Sequence, residues 1–326
     1  MNRDIFYNVK IPVFGAPLFI ISNPKMVIAQ CKGGIVGSFP ALNAKCKNDD
    51  STNLGKWIKQ INEELDKYNQ KHPDTPAAPF AVNLIVHKSN KRLEKDVEIC
   101  HKNKVPIWIT SLGAREFVND AAHDCEGITL HDVINNKFAK KAIEKGADGL
   151  IAVAAGAGGH SGSISPFSLV QEIREWFKGF LVLSGSISTG KCVLAAQAMG
   201  ADYAYIGSAF IASTEANAQH EYKKMLISCS SEDIIYTDFV SGIYGNYLKP
   251  SITSKGIDLN NLPNNNKNFI LQNGTSKPKA WKDIWSAGHG IGSIKKIRGT
   301  KFIVKKLIDE YLFAKCEFKH KLEYNS

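Results

Sequence analysis

At 326 residues the chain can bury a large core, enough for one big domain or one domain plus a small appendage. Its 44% apolar content is ordinary for a globular protein. The net charge of +10 comes from lysines scattered through predicted helices and densest near the C-terminus, as in Lys295-Lys296 and Lys305-Lys306. No stripe of basic and aromatic residues accompanies them, so a solvated basic surface is expected and a nucleic-acid partner is not. Seven cysteines (Cys31, Cys46, Cys100, Cys125, Cys192, Cys229 and Cys316) are widely spaced, odd in number and form no C-x-x-C pair. They fit a reducing compartment and indicate neither a disulfide framework nor a zinc site, and no metal is expected.

The first apolar stretch, 11–21, is interrupted by Pro12, Gly15 and Pro17, lacks a small-residue cleavage site close behind it and is too short to span a bilayer. A soluble, cytoplasmic protein without a membrane partner is expected. Short apolar, β-rich runs then recur at 13–19, 34–39, 80–86, 105–111, 127–133, 149–155, 180–186 and 203–208. Helical patterns fall between them, near 23–32, 53–70, 90–103, 114–122, 135–146, 166–178, 189–199 and 212–227. Near-continuous apolar strands separated by helices mean a parallel sheet covered by helices. Eight such units predict an α/β fold, a (β/α)8 TIM barrel, whose usual size is about 250 residues. A doubly wound open sheet is the competitor, because closure is not written in the chain.

The helix ends agree with this reading. Ser22-Asn23-Pro24 supplies a cap followed by proline, and two helices end in glycine at Gly146-Ala147-Asp148 and Gly200-Ala201-Asp202. The repeated turn is barrel periodicity at the N-terminal face of the strands, not a pair of catalytic aspartates. After residue 228 the pattern changes. The stretch 242–273 is rich in Asn, Gly, Pro and Ser, most polar at Asn264-Asn265-Asn266. Residues 1–227 are expected to form the barrel and 228–290 a smaller, loop-rich appendage, either a cap over the mouth or a plain surface excursion. A short helix is predicted over 279–285 and a glycine-rich turn over 286–292. The final segment, 291–326, carries an amphipathic helix over 300–316, with Phe302, Ile303, Leu307, Ile308 and Leu312 on or near the face that packs back on the barrel.

Ligands of such barrels bind at the C-terminal ends of the strands, and phosphates favour the loops after strands 7 and 8. Those loops here are Ser184-Gly185-Ser186-Ile187-Ser188-Thr189-Gly190 and Ile206-Gly207-Ser208, each presenting glycine and serine where a helix is about to begin. Tight turns without a ligand remain the alternative. Gly185 to Lys191 also matches the first seven positions of an NTPase phosphate loop, but Cys192 stands where Mg²⁺ coordination needs Ser or Thr. After strand 6 comes Ala154-Ala155-Gly156-Ala157-Gly158-Gly159-His160-Ser161-Gly162, in which glycines let backbone approach a flat ligand and one titratable group, His160, is presented to it. Ser161 stands where a dinucleotide fingerprint needs its third glycine. His160 either works in the site or merely shapes the loop by a hydrogen bond. His289, between glycines of the second turn, is a second pocket candidate.

In this order, Ala16-Pro17, the glycines 33–37, Asn83 in Phe-Ala-Val-Asn-Leu, Gly158-Gly159-His160, Gly185-Ser186-Ile187 and Gly207-Ser208 resemble nitronate monooxygenases, the 2-nitropropane dioxygenase family, over about 11–215. The stretch 280–285 looks like the C-terminal part of bacterial members. The resemblance implies a flavoprotein binding FMN non-covalently, its phosphate at Gly185, Ser186, Gly207 and Ser208, with Ala16, Pro17, Asn83, Gly158 and Gly159 beside the cofactor. It further implies His160 as the active-site histidine and oxidation of an alkyl nitronate with O₂ to a carbonyl compound and nitrite. The chain departs from the family pattern at Leu18, Val153, Gly156 and Tyr205, which bears on substrate identity. Two alternatives stay open: an NAD(P)H-dependent flavin reductase of enoyl thioesters or quinones, and a non-enzymatic phosphate-binding barrel. The physiological substrate and the oligomeric state are not legible.

Overall fold

A computed structural model describes residues 3–45, 52–262 and 279–324. All eight predicted runs form strands: β1 Val13–Gly15, β2 Gly37–Pro40, β3 Phe80–Ile85, β4 Ile107–Ser111, β5 Ile128–Val133, β6 Gly149–Val153, β7 Phe180–Ser184 and β8 Tyr203–Ile206. Neighbouring strands pair in parallel in the order β1-β8-β7-β6-β5-β4-β3-β2. A single bridge between Phe14 and Val36 joins β1 back to the entry of β2, with Gly15 N–H on Val36 O at 2.8 Å and Val36 N–H on Val13 O at 3.0 Å. The sheet is thus a nearly closed barrel, and the open-sheet competitor is set aside.

Side chains alternate across each strand, so Phe14, Ile109, Leu130, Ile151 and Val182 fill the interior while their neighbours meet the helices. The bottom is stoppered from the N-terminus. The turn Arg3–Phe6 stacks Phe6 on Phe180 at 4.8 Å, ringed by Phe14 and Tyr203. Both Gly-Ala-Asp turns lie at this end. Asp148 accepts from Thr129 N–H and His123 Nε2, and Asp202 accepts from Leu181 N–H and Arg174 Nη2, all at 2.8 Å. Their carboxylates tie one strand entry to the next, a structural duty.

Helix caps follow the sequence, Asn23 Oδ1 accepting from Met26 N–H at the start of Pro24–Gly33. Three expectations need correction. Of the helix expected over 212–227 only the second half forms, as His220–Ser228; a single turn, Ser208–Ile211, precedes that span. Between them the buried ammonium of Lys223 donates to Ser213 O and Ala216 O, holding the chain in a loop. The stretch 279–285 is a turn, not a helix: Ala280 pairs with Ile284, and Trp281 sits at a left-handed φ of 61°. The last helix runs Thr300–Tyr324 and buries Val304, Leu307, Tyr311 and Ala314, whereas Phe302 and Leu312 are exposed. It packs on Pro24–Gly33 and Gly190–Ala198. At Gly190 a Cβ would lie 2.2 Å from Tyr311 N, so only glycine admits this approach, and Gly190 N–H donates to Glu310 Oε2.

Beyond the barrel, a hairpin of Ile234–Thr237 and Gly245–Leu248 pairs antiparallel with a two-residue strand, Gly159–His160. Phe239, Tyr247, Ile252 and Ile284 form a small core beneath it. Asn264-Asn265-Asn266 lie outside the described residues. Among the described residues no helix is long and apolar enough to cross a membrane, and no cluster of His, Cys, Asp or Glu could hold a metal.

Candidate active site

The loops singled out in the sequence converge at the C-terminal mouth of the barrel. After β7, Gly185 takes a φ of 135° and Ser186 one of 57°, and Ser186 N–H donates to Gly156 O at 3.2 Å. After β8, Gly207 lies against Ala16 and Leu18, and Ser208 opens the turn Ser208–Ile211. The second glycine turn arrives from the far end of the chain and fits between them. Gly288 N–H donates to Ser208 Oγ and His289 N–H to Gly156 O, both at 2.9 Å. A Cβ on Gly158 would lie 2.7 Å from Gly288 N, which explains why both turns are glycine-rich: two main chains pass in contact.

The imidazole of His289 is exposed and faces Gly156, so this candidate lines the mouth. Ala16, Pro17, Val153, Gly207 and Ser208 are half-buried, and Gly158 and Ser186 exposed, above a buried throat. The mouth is therefore open where its walls are glycine, serine and small apolar side chains. Lys191 of the phosphate-loop lookalike points away, pairing with Glu317 at 2.8 Å, which removes the NTPase reading.

His160 is a strand residue, where a loop position was expected. Its pairing with Gly245 places it at the junction of barrel and appendage. Nε2 lies 2.9 Å from Ser241 Oγ, and Ser241 donates its one hydroxyl hydrogen to Ile243 O at 3.0 Å. Nε2 therefore carries the hydrogen, and Nδ1 is left as an acceptor, a tautomer assigned from the network. Burial holds the imidazole below its ordinary pKa, so it is neutral at pH 7. Trp281 packs edge-on against it at 5.0 Å and meets Phe19 at 6.0 Å. The neighbouring loop is clamped by Asn246, which donates to Ala157 O (2.7 Å) and Ser161 Oγ (3.1 Å).

Asn83, from β3, is buried at the top of the throat and donates from Nδ2 to Ile109 O (3.2 Å) and Ser111 Oγ (2.7 Å). Ser111 in turn donates to Asp132 Oδ2 at 2.5 Å. Two residues beyond Ile109 and Leu130 on their strands, Ser111 and Asp132 share the inward face. Tyr205 enters from β8. Asp132 Oδ1 and Tyr205 Oη are buried without a hydrogen-bond partner among the described residues. Desolvation pushes Asp132 up to about 7, while burial and the charge of Asp132 push the Tyr205 phenol well above its usual value. This polar throat was missed from sequence, although a Ser and an Asp at the C-terminal ends of apolar strands are the signal that could have found it.

Backbone strain occurs at the rim as well as before the strand entries below, where Lys104 and Glu126 have φ values of 48° and 63°. Ile20, Leu112, Ser186 and Trp281 all have left-handed φ values, between 57° and 69°, and all four lie after strand ends or on the covering turn. Ile20 is β-branched, the side-chain type least suited to that region.

A family model described as nitronate monooxygenase matches residues 4–310. The chain belongs to the nitronate monooxygenase family. It is 28% identical over 284 residues to a nitronate monooxygenase from Paraburkholderia phytofirmans, covering 76% of each chain. A probable nitronate monooxygenase from Staphylococcus haemolyticus is 30% identical over 225 residues, 64% of this chain and 58% of that one. Among solved structures, FabK from Thermotoga maritima superposes with a TM-score of 0.78 at 22% identity, covering 99% and 98% of the two chains. Nitroalkane oxidase from Streptomyces ansochromogenes gives 0.75 at 19%, covering 96% and 99%. The protein is thus an oxidoreductase of this family on a TIM-barrel fold, which sets the non-enzymatic reading aside.

Proposed function

We propose that the protein binds FMN at the barrel mouth and oxidises alkyl nitronates with O₂ to a carbonyl compound and nitrite. The observation that carries this reading is the convergence of Gly185-Ser186, Gly207-Ser208 and the His160 strand on one open mouth above a buried polar throat. The residues present suit the cofactor. Glycine and serine backbone at the ends of β7 and β8, with the first turn of Ser208–Ile211, offers N–H donors to a phosphate. Ala16, Pro17 and Gly158 leave flat, uncluttered surface for a ring, and Asn83 offers it a polar contact from below. When bound, the flavin supplies the electron transfer between substrate and O₂.

The chain's own work is to bind, orient and move a proton. A neutral His160 with Nδ1 as acceptor is poised to take the α-proton of a neutral nitroalkane, or to accept a hydrogen from the substrate. Ser241 holds the imidazole in that tautomer, and Trp281 limits its tilt. Phe19, Ile20 and Trp281 give the rim an apolar side against which an alkyl chain can lie.

Purified protein given FMN should turn yellow, release nitrite from propionate 3-nitronate in air, and have its flavin bleached by the nitronate under anaerobic conditions. Rapid bleaching by NADH or NADPH, with none by the nitronate, would reject the proposal in favour of a flavin reductase. His160→Asn should leave FMN bound and lower turnover by about 10² or more. Full activity in that variant would remove His160 from the mechanism.

A further inference from the structure

At the mouth end of the barrel interior, Asp132 Oδ1 and Tyr205 Oη are buried with no hydrogen-bond partner among the described residues. Such atoms ask for an explanation, and a ligand that meets them is one. Asp132 is the last residue but one of β5, and Tyr205 holds the same place in β8. Both face inward: Asp132 lies two positions beyond the interior Leu130, and Tyr205 is the register partner of the interior Phe14. Burial and the charge of Asp132 both raise the Tyr205 phenol, so the two groups border one space. The rest of the carboxyl is fixed. Ser111, opposite Asp132 by continuation of the Thr110–His131 pairing, donates to Oδ2 at 2.5 Å and leaves Oδ1 as the oxygen free to accept. Ser111 stands two positions closer to the mouth than Ile109, the register partner of Asn83, so this contact lies on the mouth side of Asn83.

We propose that Asp132 Oδ1 accepts a hydrogen bond from the ring N–H of the bound flavin, so that a carboxylate lies against the pyrimidine half of the ring and weakens the hold of the site on the reduced form. The inference rests on the reading that FMN occupies the mouth. An oxidised flavin ring offers a single N–H, flanked by carbonyls, and an ionised carboxyl oxygen is an acceptor only. The Tyr205 phenol, which can donate, suits a flanking carbonyl. Reduction adds electrons to the ring, and a fixed negative charge against it opposes that gain.

Few groups compete for this place. From β4 Asp132 meets Ser111, and from β6 its register partner is Ile151, neither of them a cation that would claim the carboxylate. His131, next along β5, alternates to the opposite side of the sheet and bonds Thr110 there at 2.6 Å. Burial brings the Asp132 carboxyl up to about 7, so at pH 8 it is mostly ionised and Oδ1 is an acceptor.

The test pairs protein variants with a cofactor variant. The full chain, stripped of flavin, is titrated at pH 8 with FMN and with 3-methyl-FMN, whose ring N–H is replaced by N–CH₃, and circular dichroism controls for folding. Wild type should bind FMN about tenfold or more tightly than the methylated form, and Asp132→Ala should bind the two alike. Asp132→Asn keeps an oxygen that can accept, so it should retain the preference but lose the charge. Its flavin potential should rise by about 30 mV, which is a tenfold gain in relative affinity for the reduced form of a two-electron couple. Tyr205→Phe should weaken both flavins equally. A preference that is absent from wild type, that survives in Asp132→Ala or that disappears in Tyr205→Phe would overturn the contact. An unchanged potential in Asp132→Asn would overturn its effect on the reduced form. If Asp132→Ala does not fold, the wild-type preference and the Asp132→Asn potential decide. Wild-type protein that binds neither flavin would instead overturn the proposed function, and this inference with it.

Discussion

The two ends of the barrel are built on opposite principles. At the bottom, Phe6 stacks on Phe180, the Gly-Ala-Asp turns satisfy strand N–H groups with carboxylates, and Asp148 and Asp202 have partners at 2.8 Å. At the mouth, a carboxyl and a phenol are buried with an oxygen each that has no hydrogen-bond partner among the described residues, and burial holds a histidine below its ordinary pKa. The bottom thus pairs its strand-entry carboxylates, whereas the mouth leaves buried polar atoms without partners among the described residues.

The contrast can be broken from either side. The largest effect is expected from Phe6→Ala, which empties the aromatic stopper and should destabilise the protein by about 3 kcal/mol or more, read as a fall in Tm, with FMN affinity retained. Loss of flavin binding without loss of Tm would contradict the assignment of that end to stability.

Next comes Asp132→Asn, for which the sign follows from proton binding. The native carboxyl keeps its proton up to about pH 7, whereas the unfolded one releases it at an ordinary 3.8. The native state binds the extra proton between those values, so stability is full below about 4 and is lost as pH rises through 7. The loss approaches about 4 kcal/mol, and Asp132→Asn should abolish it. Denaturant melts at pH 5 and 8 check this, and a wild-type stability that does not fall over that interval would refute it. The smallest effect is expected at Ile20→Gly, which relieves a left-handed β-branched residue and should raise stability by about 1 kcal/mol. A lower Tm would show that the apolar rim, not the backbone strain, dominates there.

How much of this could be read from the chain differs between the same two ends. The strands were legible because each is a short apolar run between helical patterns, and the loops that line the mouth because Gly185-Ser186, Gly207-Ser208 and Gly158-Gly159-His160 follow strand ends. The bottom stopper was not, since Phe6 lies in an unpatterned segment and its partner Phe180 is 174 positions away. The throat escaped because Ser111 and Asp132 end apolar runs, and only the closed barrel shows that both face inward. The turn at 279–285 looks helical from its Trp and Lys spacing, yet tertiary packing of Trp281 against His160 overrides that preference. Of the last helix, its existence was evident and its buried face was not, since Phe302 and Leu312 lie outward while Val304 and Tyr311 pack inward.

The pairing of Gly159–His160 with the 245–248 strand has a mechanical corollary. Imidazole and hairpin form one stiff plate: backbone hydrogen bonds lock them in register, so the hairpin cannot swing outward to admit a bulky molecule without carrying His160 along. Access to the mouth and the placement of His160 are thereby geared together, and a guest that props the plate ajar also shifts the imidazole.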